Sequence, residues 1–459
     1  MVQERIRNVV ANTFKINLED ITDRLEYQSI AAWDSLNHIS LMLALEEEFK
    51  IKIDENMVLH LSSISKIYQF MQSANGNVTQ CTAQPPNLKT QNNEPQQKLD
   101  NQPIHRGLNG IYYDYSSICN IDGKNGKLYY RGINIQDLLE KYKFEDIIGL
   151  LIFKKPLFDK DKLELCNKLN AHTQLPNDVI NILSSVKHLQ PFNAIRAALS
   201  FMVEKYFINY SDIGDLALTL LNFLPLLVGQ FNLLRNGSTD KLIINPNWSY
   251  AKNVLFFLSG KEPQDIEVEY FDKDLILHAE HDSNASTFTA RICSSTKANP
   301  IDSILAAMSA FTGELHGGAL NMVSKMLAEI EEPQNVEAYI KRRLEQKLPI
   351  YGYGHRIYRT LDPRAAYMDK VALALSKLRN NYNDYNILQN INKCMKRYSD
   401  LGIAPNVDFY DAVIYKLLDI PEDLFLMAFI ISRAAGWLAH IQEQLENNIL
   451  IRPKLKYKN

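Results

Sequence analysis

Cysteine is scarce and scattered in this chain. The five residues Cys81, Cys119, Cys166, Cys293 and Cys394, among 459 positions, form no C-x-x-C pair and no dense framework. That argues against a zinc site or a disulfide-stapled secreted fold, and reduced thiols in a cytoplasmic protein are the expectation. Net charge is nearly absent as well: at −3 there is no global field to favour nucleic acid or an anionic membrane as partner. A membrane-spanning run is lacking, because the longest apolar stretch, Leu216 to Val228, contains Asn222 and Pro225 and falls short of the ~20 residues a spanning helix requires. It reads as a buried helix or helix pair. The opening M-V-Q-E-R-I-R-N-V-V carries Glu4 and no uninterrupted apolar core, so no secretory signal is expected. Fixed-period repeats of the solenoid kind are missing too.

What is present falls into three parts. In residues 1–73, Ile6, Val9, Val10 and Phe14 recur at helical spacing, and Leu36, Ile39, Leu43 and Phe49 do so after a long loop, which predicts a small helical bundle. Eleven acidic residues against seven basic ones concentrate more than the whole chain's negative charge in this unit. Residues 74–104 read as a linker: of the thirty residues from Ala74 to Pro103, twelve are Asn or Gln and four are Pro, too little apolar surface for a core. A flexible tether of that length has a root-mean-square span of roughly 30 Å. From 105 to 459 a short strand pair is expected first, within the stretch 107–132 with its paired aromatics and Gly-containing turns. Helical periodicity then dominates, as in Leu138, Leu139, Tyr142 or Ile304, Ala307, Met308, Phe311. The expected class is all-α, with a helix starting at Asn299-Pro300 and stopping by Gly313.

The chemistry-bearing stretch is Tyr351 to Ala365, Y-G-Y-G-H-R-I-Y-R-T-L-D-P-R-A. Gly352 and Gly354 permit close backbone approach to a ligand, His355 stands beside them, and Arg356, Arg359 and Arg364 offer forks that match carboxylates or phosphates. Alone, it also reads as a Gly-rich turn with solvated arginines. His316 in G-E-L-H-G-G-A sits near a helix start, where the helix dipole disfavours the imidazolium and keeps a hydrogen-bond donor neutral; a structural turn histidine is the other reading. Asp408 in P-N-V-D-F-Y has apolar neighbours that would raise its basicity by desolvation, or it is a turn or cap residue after Pro405. Arg433 lies in the apolar F-I-I-S-R-A-A-G-W, where an unpaired charge is costly. Near the N-terminus, W-D-S-L at 33–36 precedes an apolar run and reads as a helix cap.

These segments, with L-H-A-E-H-D-S-N-A-S-T at 277–287, S-R-A-A-G-W-L-A-H at 432–440 and I-R-P-K-L-K-Y at 451–457, resemble the citrate synthase family over about 108–457. The resemblance implies a two-lobed, mainly helical domain. It also implies condensation of an acyl thioester, acetyl-CoA or a close relative, with oxaloacetate. By it Asp408 is the general base, His316 the donor to the nascent enol and His355 the group polarising the ketone. His281, Arg364 and Arg433 bind oxaloacetate, Arg359 contacts coenzyme A phosphates, and Arg452 reaches into the neighbouring subunit of a homodimer with shared sites. No metal is implied, and His278 and His440 are left structural. Where the family commonly has Asn after G-G-A, this chain has Leu320 and then Asn321.

Residues 1–73 resemble an acyl carrier protein. Ser35 is then the attachment point for 4'-phosphopantetheine, placed there by a phosphopantetheinyl transferase. Trp33 precedes the aspartate where that family usually has a nearby glycine. Two other readings stand beside the condensing enzyme: an idle dimeric platform that displays the carrier, and a methylcitrate synthase using a propionyl thioester. One methylene is worth only about 1–3 kcal/mol in a pocket and leaves no mark in a motif.

Overall fold

The computed structural model describes residues 2–23, 25–27, 29–30, 32–74, 104–108, 110–156, 159–207, 210 and 212–456. The linker assigned to 74–104 lies, apart from its two end residues, outside the described residues, as does Cys81. The other four cysteines are free thiols. The chain divides into two compact units, Met1–Ser116 together with Arg452–Asn459, and Ser117–Ile451.

In the first unit, Val2–Phe14 buries Ile6, Val10 and Phe14, one residue per turn along a single face. The helix Ser35–Phe49 starts because Asp34 caps it, its carboxylate accepting from the Asn37 N–H at 2.8 Å, and it stops at Lys50 in the left-handed region at φ 52°. Asp54 caps Glu55–His60 in the same way, and Ile64–Ala74 buries Ile64, Ile67, Tyr68 and Met71. One expectation shifts. The buried face of Ser35–Phe49 is Asn37, His38, Ile39, Leu41, Met42 and Leu45, so Ile39 is buried as expected while Leu36, Leu43 and Phe49 are only half-buried. The buried Trp33 donates its indole N–H to His38 Nδ1 at 2.9 Å, and His38 Nε2 meets the Val58 carbonyl at 3.0 Å. A histidine satisfied at both nitrogens can take a core position beside Ile39.

The second unit opens with three antiparallel strands, Cys119–Asp122, Lys127–Tyr130 and Ile133–Asn134, rather than the expected pair. Helices follow almost throughout. The run around Pro225 is one continuous helix, Ile213–Arg235, whose buried Asn222 amide donates to the Leu169 carbonyl. By length and composition Ile213–Arg235 and Glu422–Glu446 are long and apolar enough to cross a membrane. Yet 89% and 94% of their apolar windows are buried inside the protein, so here they serve as core helices. The helix Pro300–Phe311 begins where expected, with the Asn299 side chain accepting from the Ile301 N–H at 2.9 Å. Phe425–Glu446 packs against Asp265–His278 and Ala285–Ser295. It does so closely because Gly436 has no side chain: a Cβ there would collide with the Ala279 carbonyl and the Glu280 carboxylate.

Candidate active site

Three histidines from three segments converge in the second unit. His281 follows the helix Asp265–His278, and Tyr130 on the second strand fixes that helix end by donating its hydroxyl to the Glu280 carbonyl at 2.9 Å. The chain then turns at Asp282, φ 52°. His281 Nε2 lies 3.3 Å from the Tyr358 hydroxyl, and its ring centroid is 5.1 Å from that of His355. Burial first, then the charges of Arg364 and Arg433 and the neighbouring histidines, pushes His281 well below the ordinary histidine range.

His355 stands in the loop whose two glycines both have positive φ. At Gly352 a Cβ would come within 2.8 Å of Phe409, so this strand of the loop can lie against that helix only as glycine. The loop is also tied to the first strand turn, because the Arg359 N–H donates to the Gly123 carbonyl at 3.0 Å. His355 Nδ1 accepts from the Ile357 and Tyr358 N–H groups at 3.0 and 3.1 Å. A nitrogen that accepts from two backbone donors carries no proton, so the neutral ring presents its N–H at Nε2.

His316 lies in the turn between Pro300–Phe311 and Ala319–Ile330. Its Nε2 accepts from the Ser286 N–H at 3.4 Å and meets the Ser286 hydroxyl at 2.8 Å; Trp437 holds that hydroxyl by its indole N–H at 3.2 Å. Ser286 Oγ in turn donates to Asn284 Oδ1 at 2.8 Å, so Ser286 holds the His316 ring in place from its Nε2 side. His316 is pushed down to about 4, mainly by burial and then by Arg433. His355 also falls to about 4: burial dominates, Asp362 opposes, and Arg364 and Arg359 add to the drop. The neutrality expected of His316 thus has burial, more than a helix terminus, as its cause.

Asp408 is the first residue of the helix Asp408–Leu417. Burial raises it to about 6 against the pull of Arg364, His278 and Arg433. The two buried arginines differ. Arg364 lays Nε and Nη2 on the Asp362 carboxylate at 3.0 and 2.7 Å, which leaves the Nη1 hydrogens and the second Nη2 hydrogen as a fork for a ligand. Arg433 donates Nε to the His278 carbonyl at 2.6 Å and stacks 5.1 Å over Phe429, and no carboxylate pairs with it among the described residues. Burial lowers its basicity to about 10 despite Glu280. A buried guanidinium without a counter-ion is a place for an anion.

Arg359 is half-buried and curls back toward the His355 carbonyl at 3.4 Å. Arg452 is exposed and belongs to the other compact unit, so it is not among the residues this unit brings together. Ser35 is the first residue of its helix, directly after the exposed cap Asp34. Several residues that sequence reasoning passed over take part: Tyr358, Ser286, Trp437, Asp362 and Tyr130. Four of them, Tyr358, Asp362, Ser286 and Trp437, lie inside motifs already singled out, and that was the signal available. Asp274, His278 and Asp411 place one ligand atom each within 4.8 Å of one another, as a metal site would. His278 stands at hydrogen-bond distance from Asp411 and Asp274, however, and the group reads as an ion pair.

Comparison with known proteins agrees with this geometry. Residues 107–454 match the family described as citrate synthase, C-terminal domain, and residues 4–71 match the phosphopantetheine attachment site. Citrate synthase 2 of Bacillus subtilis is 39% identical over 358 residues, covering 77% of this chain and 95% of that protein. 2-Methylcitrate synthase 2 of Corynebacterium glutamicum is 34% identical over 364 residues, covering 77% and 94%. Among solved structures, citrate synthase of Thermotoga maritima superposes with a TM-score of 0.71 at 30% identity, over 78% of this chain and 96% of that one. The Thermoplasma acidophilum enzyme, in a ternary complex with carboxymethyl coenzyme A and oxaloacetate, gives 0.74 at 25% identity with the same coverage. The chain belongs to the citrate synthase family and carries a phosphopantetheine attachment domain ahead of the synthase domain.

Proposed function

We propose that the second unit condenses an acyl thioester with oxaloacetate, and that the neutral His316 and His355, the buried Asp408 and the unpaired Arg433 are what perform it. Asp408, raised to about 6 by burial, takes a proton from the carbon next to the thioester carbonyl. His316 donates to the carbonyl oxygen as the enol forms, and His355 donates from Nε2 to the ketone of oxaloacetate. The enol carbon attacks that ketone, and water then cleaves the thioester. Arg433, the remaining fork of Arg364 and His281 hold the carboxylates, with Arg359 assigned to coenzyme A phosphates. The observation that carries this reading is the convergence of His316, His355 and Arg433 on His281, with His355 Nδ1 bound by two backbone donors so that its Nε2–H is left for an oxygen. Release of free thiol from acetyl-CoA and oxaloacetate tests it: Asp408→Asn is expected to lose about 10²–10⁴ in rate with an unchanged circular dichroism spectrum. Parent-like turnover by that variant would remove Asp408 as the base. The methylcitrate synthases among the relatives favour propionyl-CoA as the second donor to assay.

The working form is a homodimer. Tyr112, Tyr115 and Leu455 are 99%, 95% and 99% exposed, large apolar side chains that a second copy would cover. Arg452 lies between the exposed Leu450 and Leu455, so a tail that docks on a second copy carries it along. Mixing Arg452→Ala with Asp408→Asn protein is then expected to restore about one good site per heterodimer; no recovery after verified subunit exchange would place Arg452 in its own chain's site.

Ser35 at its helix start suits the phosphopantetheine arm, which supplies a thiol that holds an acyl group as a thioester. A carrier tethered to the synthase domain raises the effective concentration of its cargo to the millimolar range. Holo protein loaded with acetyl, freed of coenzyme A and given oxaloacetate is expected to lose the acetyl mass and yield citrate. Acetyl that persists on the carrier while added acetyl-CoA is consumed would assign the carrier to another enzyme.

A further inference from the structure

His278 has no part in the reaction just described, yet it touches the supports of two residues that do. It is the last residue of Asp265–His278 and is fully buried. Its Nε2 meets Asp411 Oδ2 at 2.8 Å, and its Nδ1 meets the Asp274 carbonyl oxygen at 2.8 Å with the Asp274 carboxylate at 3.3 Å. Both nitrogens thus face oxygens, and paired with the ionised Asp411 carboxylate, which burial raises to about 7, the ring is an imidazolium. Burial works against that charge, and Asp411 and Asp274 outweigh it, raising His278 to about 10. Tyr415 closes the cluster by donating its hydroxyl to Asp274 Oδ2 at 3.0 Å, and the His278 ring packs edge-on against Phe429 at 4.1 Å.

Two connections leave this cluster toward the chemistry. Asp411 lies three residues after Asp408 on Asp408–Leu417, so the bond from His278 pins the first turn of the helix that begins at the base. The His278 carbonyl accepts from Arg433 Nε at 2.6 Å, and Phe429, against which the ring packs, also lies under the Arg433 guanidinium.

We propose that His278 is a positioning residue for the condensation: as an imidazolium bridging Asp274 and Asp411 it fixes Asp408, and through its own carbonyl and Phe429 it fixes Arg433. The inference rests on Asp408 being the base. It adds that base and carboxylate clamp are held in register by one buried cation, which also contributes positive charge near Asp408. The charged groups facing Asp408 are Arg364, His278 and Arg433 on one side of the balance and Asp362 on the other; those facing Asp411 are His278, Asp274 and Asp408.

The test is His278→Gln, which keeps a polar side chain and deletes the charge. Loss of a positive neighbour raises the pKa of Asp408, so the acid limb of the kcat profile moves to higher pH. Misplacement of the base lowers kcat by about 10- to 100-fold, and the KM for oxaloacetate rises as Arg433 loosens. Asp411→Asn, which leaves the histidine in place, is expected to lower kcat as well. The double variant is expected to be no worse than the poorer single one, because both delete the same bond. Should His278→Gln not fold, the kcat of Asp411→Asn still reads the link. A structural role alone would lower the melting temperature while the acid limb and kcat stayed at the parent's values, and that result overturns the inference. Full activity in Asp408→Asn would instead remove the reading on which it rests, and the two failures are distinguishable because they appear in different variants.

Discussion

Each unit starts a helix at the residue assigned its chemistry and anchors that helix one turn later, but the anchors are of opposite kinds. In the carrier unit Ser35 begins Ser35–Phe49, and three residues on His38 is held by the Trp33 indole and the Val58 carbonyl. In the synthase unit Asp408 begins Asp408–Leu417, and three residues on Asp411 is held by His278. His38 accepts a hydrogen bond at Nδ1 from the Trp33 indole and is neutral; His278, paired with the Asp411 carboxylate and raised to about 10, is charged. A neutral anchor does nothing to the electrostatics of its neighbour. A charged one sets both position and basicity, which suits a residue that must lose and gain a proton.

The largest effect expected on the carrier side is all-or-none. Ser35→Ala removes the hydroxyl to which the arm is attached while leaving Asp34, the cap, in place, so the helix persists and loading by a broad-specificity transferase vanishes. Intact-protein mass spectrometry reads the arm directly. Free acetyl-CoA is expected to be consumed by this variant at the parent rate, since the synthase unit uses none of the carrier's side chains. An arm that still loads would move the attachment away from Ser35.

How much of this was legible follows the same division. The motifs around His281, His316, His355, Asp408 and Arg433 were visible because glycines, prolines and charges recur locally, and the alternating helices were visible from apolar spacing. Pairing across the chain was not: His278 and Asp411 stand 133 positions apart, and no local pattern announces their bond. For the same reason His278 read as structural, the seat of Arg364 on Asp362 went unseen, and the burial of His38 in Ser35–Phe49 was missed because a doubly bonded histidine counts as polar in a sequence. The tautomer of His355 is likewise set by backbone donors that spacing does not reveal.

An intermediate effect concerns pH. Asp408 must be ionised to act as base, and with a pKa raised to about 6 it is protonated below that value, so kcat is expected to fall as pH drops through about 6. His316 and His355, both held near 4, stay neutral through that range and add no second limb. A limb near 4 would mean that Asp408 is less buried in the working enzyme than in this chain alone.

The smallest effect separates the neutral anchor from the charged one. Trp33→Phe keeps an aromatic ring against Phe14, whose ring centre lies 5.0 Å away, but deletes the N–H that His38 accepts. His38 Nδ1 is then buried without its donor, a loss of about 1–3 kcal/mol, and no charge near Ser35 changes. Hydrogen exchange on the full chain is the suitable readout, because it resolves amides of Ser35–Phe49 from those of the synthase unit. Faster exchange confined to the carrier helices is expected, with thiol release from free acetyl-CoA and its pH profile unmoved. If exchange stayed at the parent rate, the Trp33–His38 bond would not be what seats this helix. If the pH profile of the synthase moved instead, the carrier's anchor would not be electrostatically silent, and the contrast with His278 would fail.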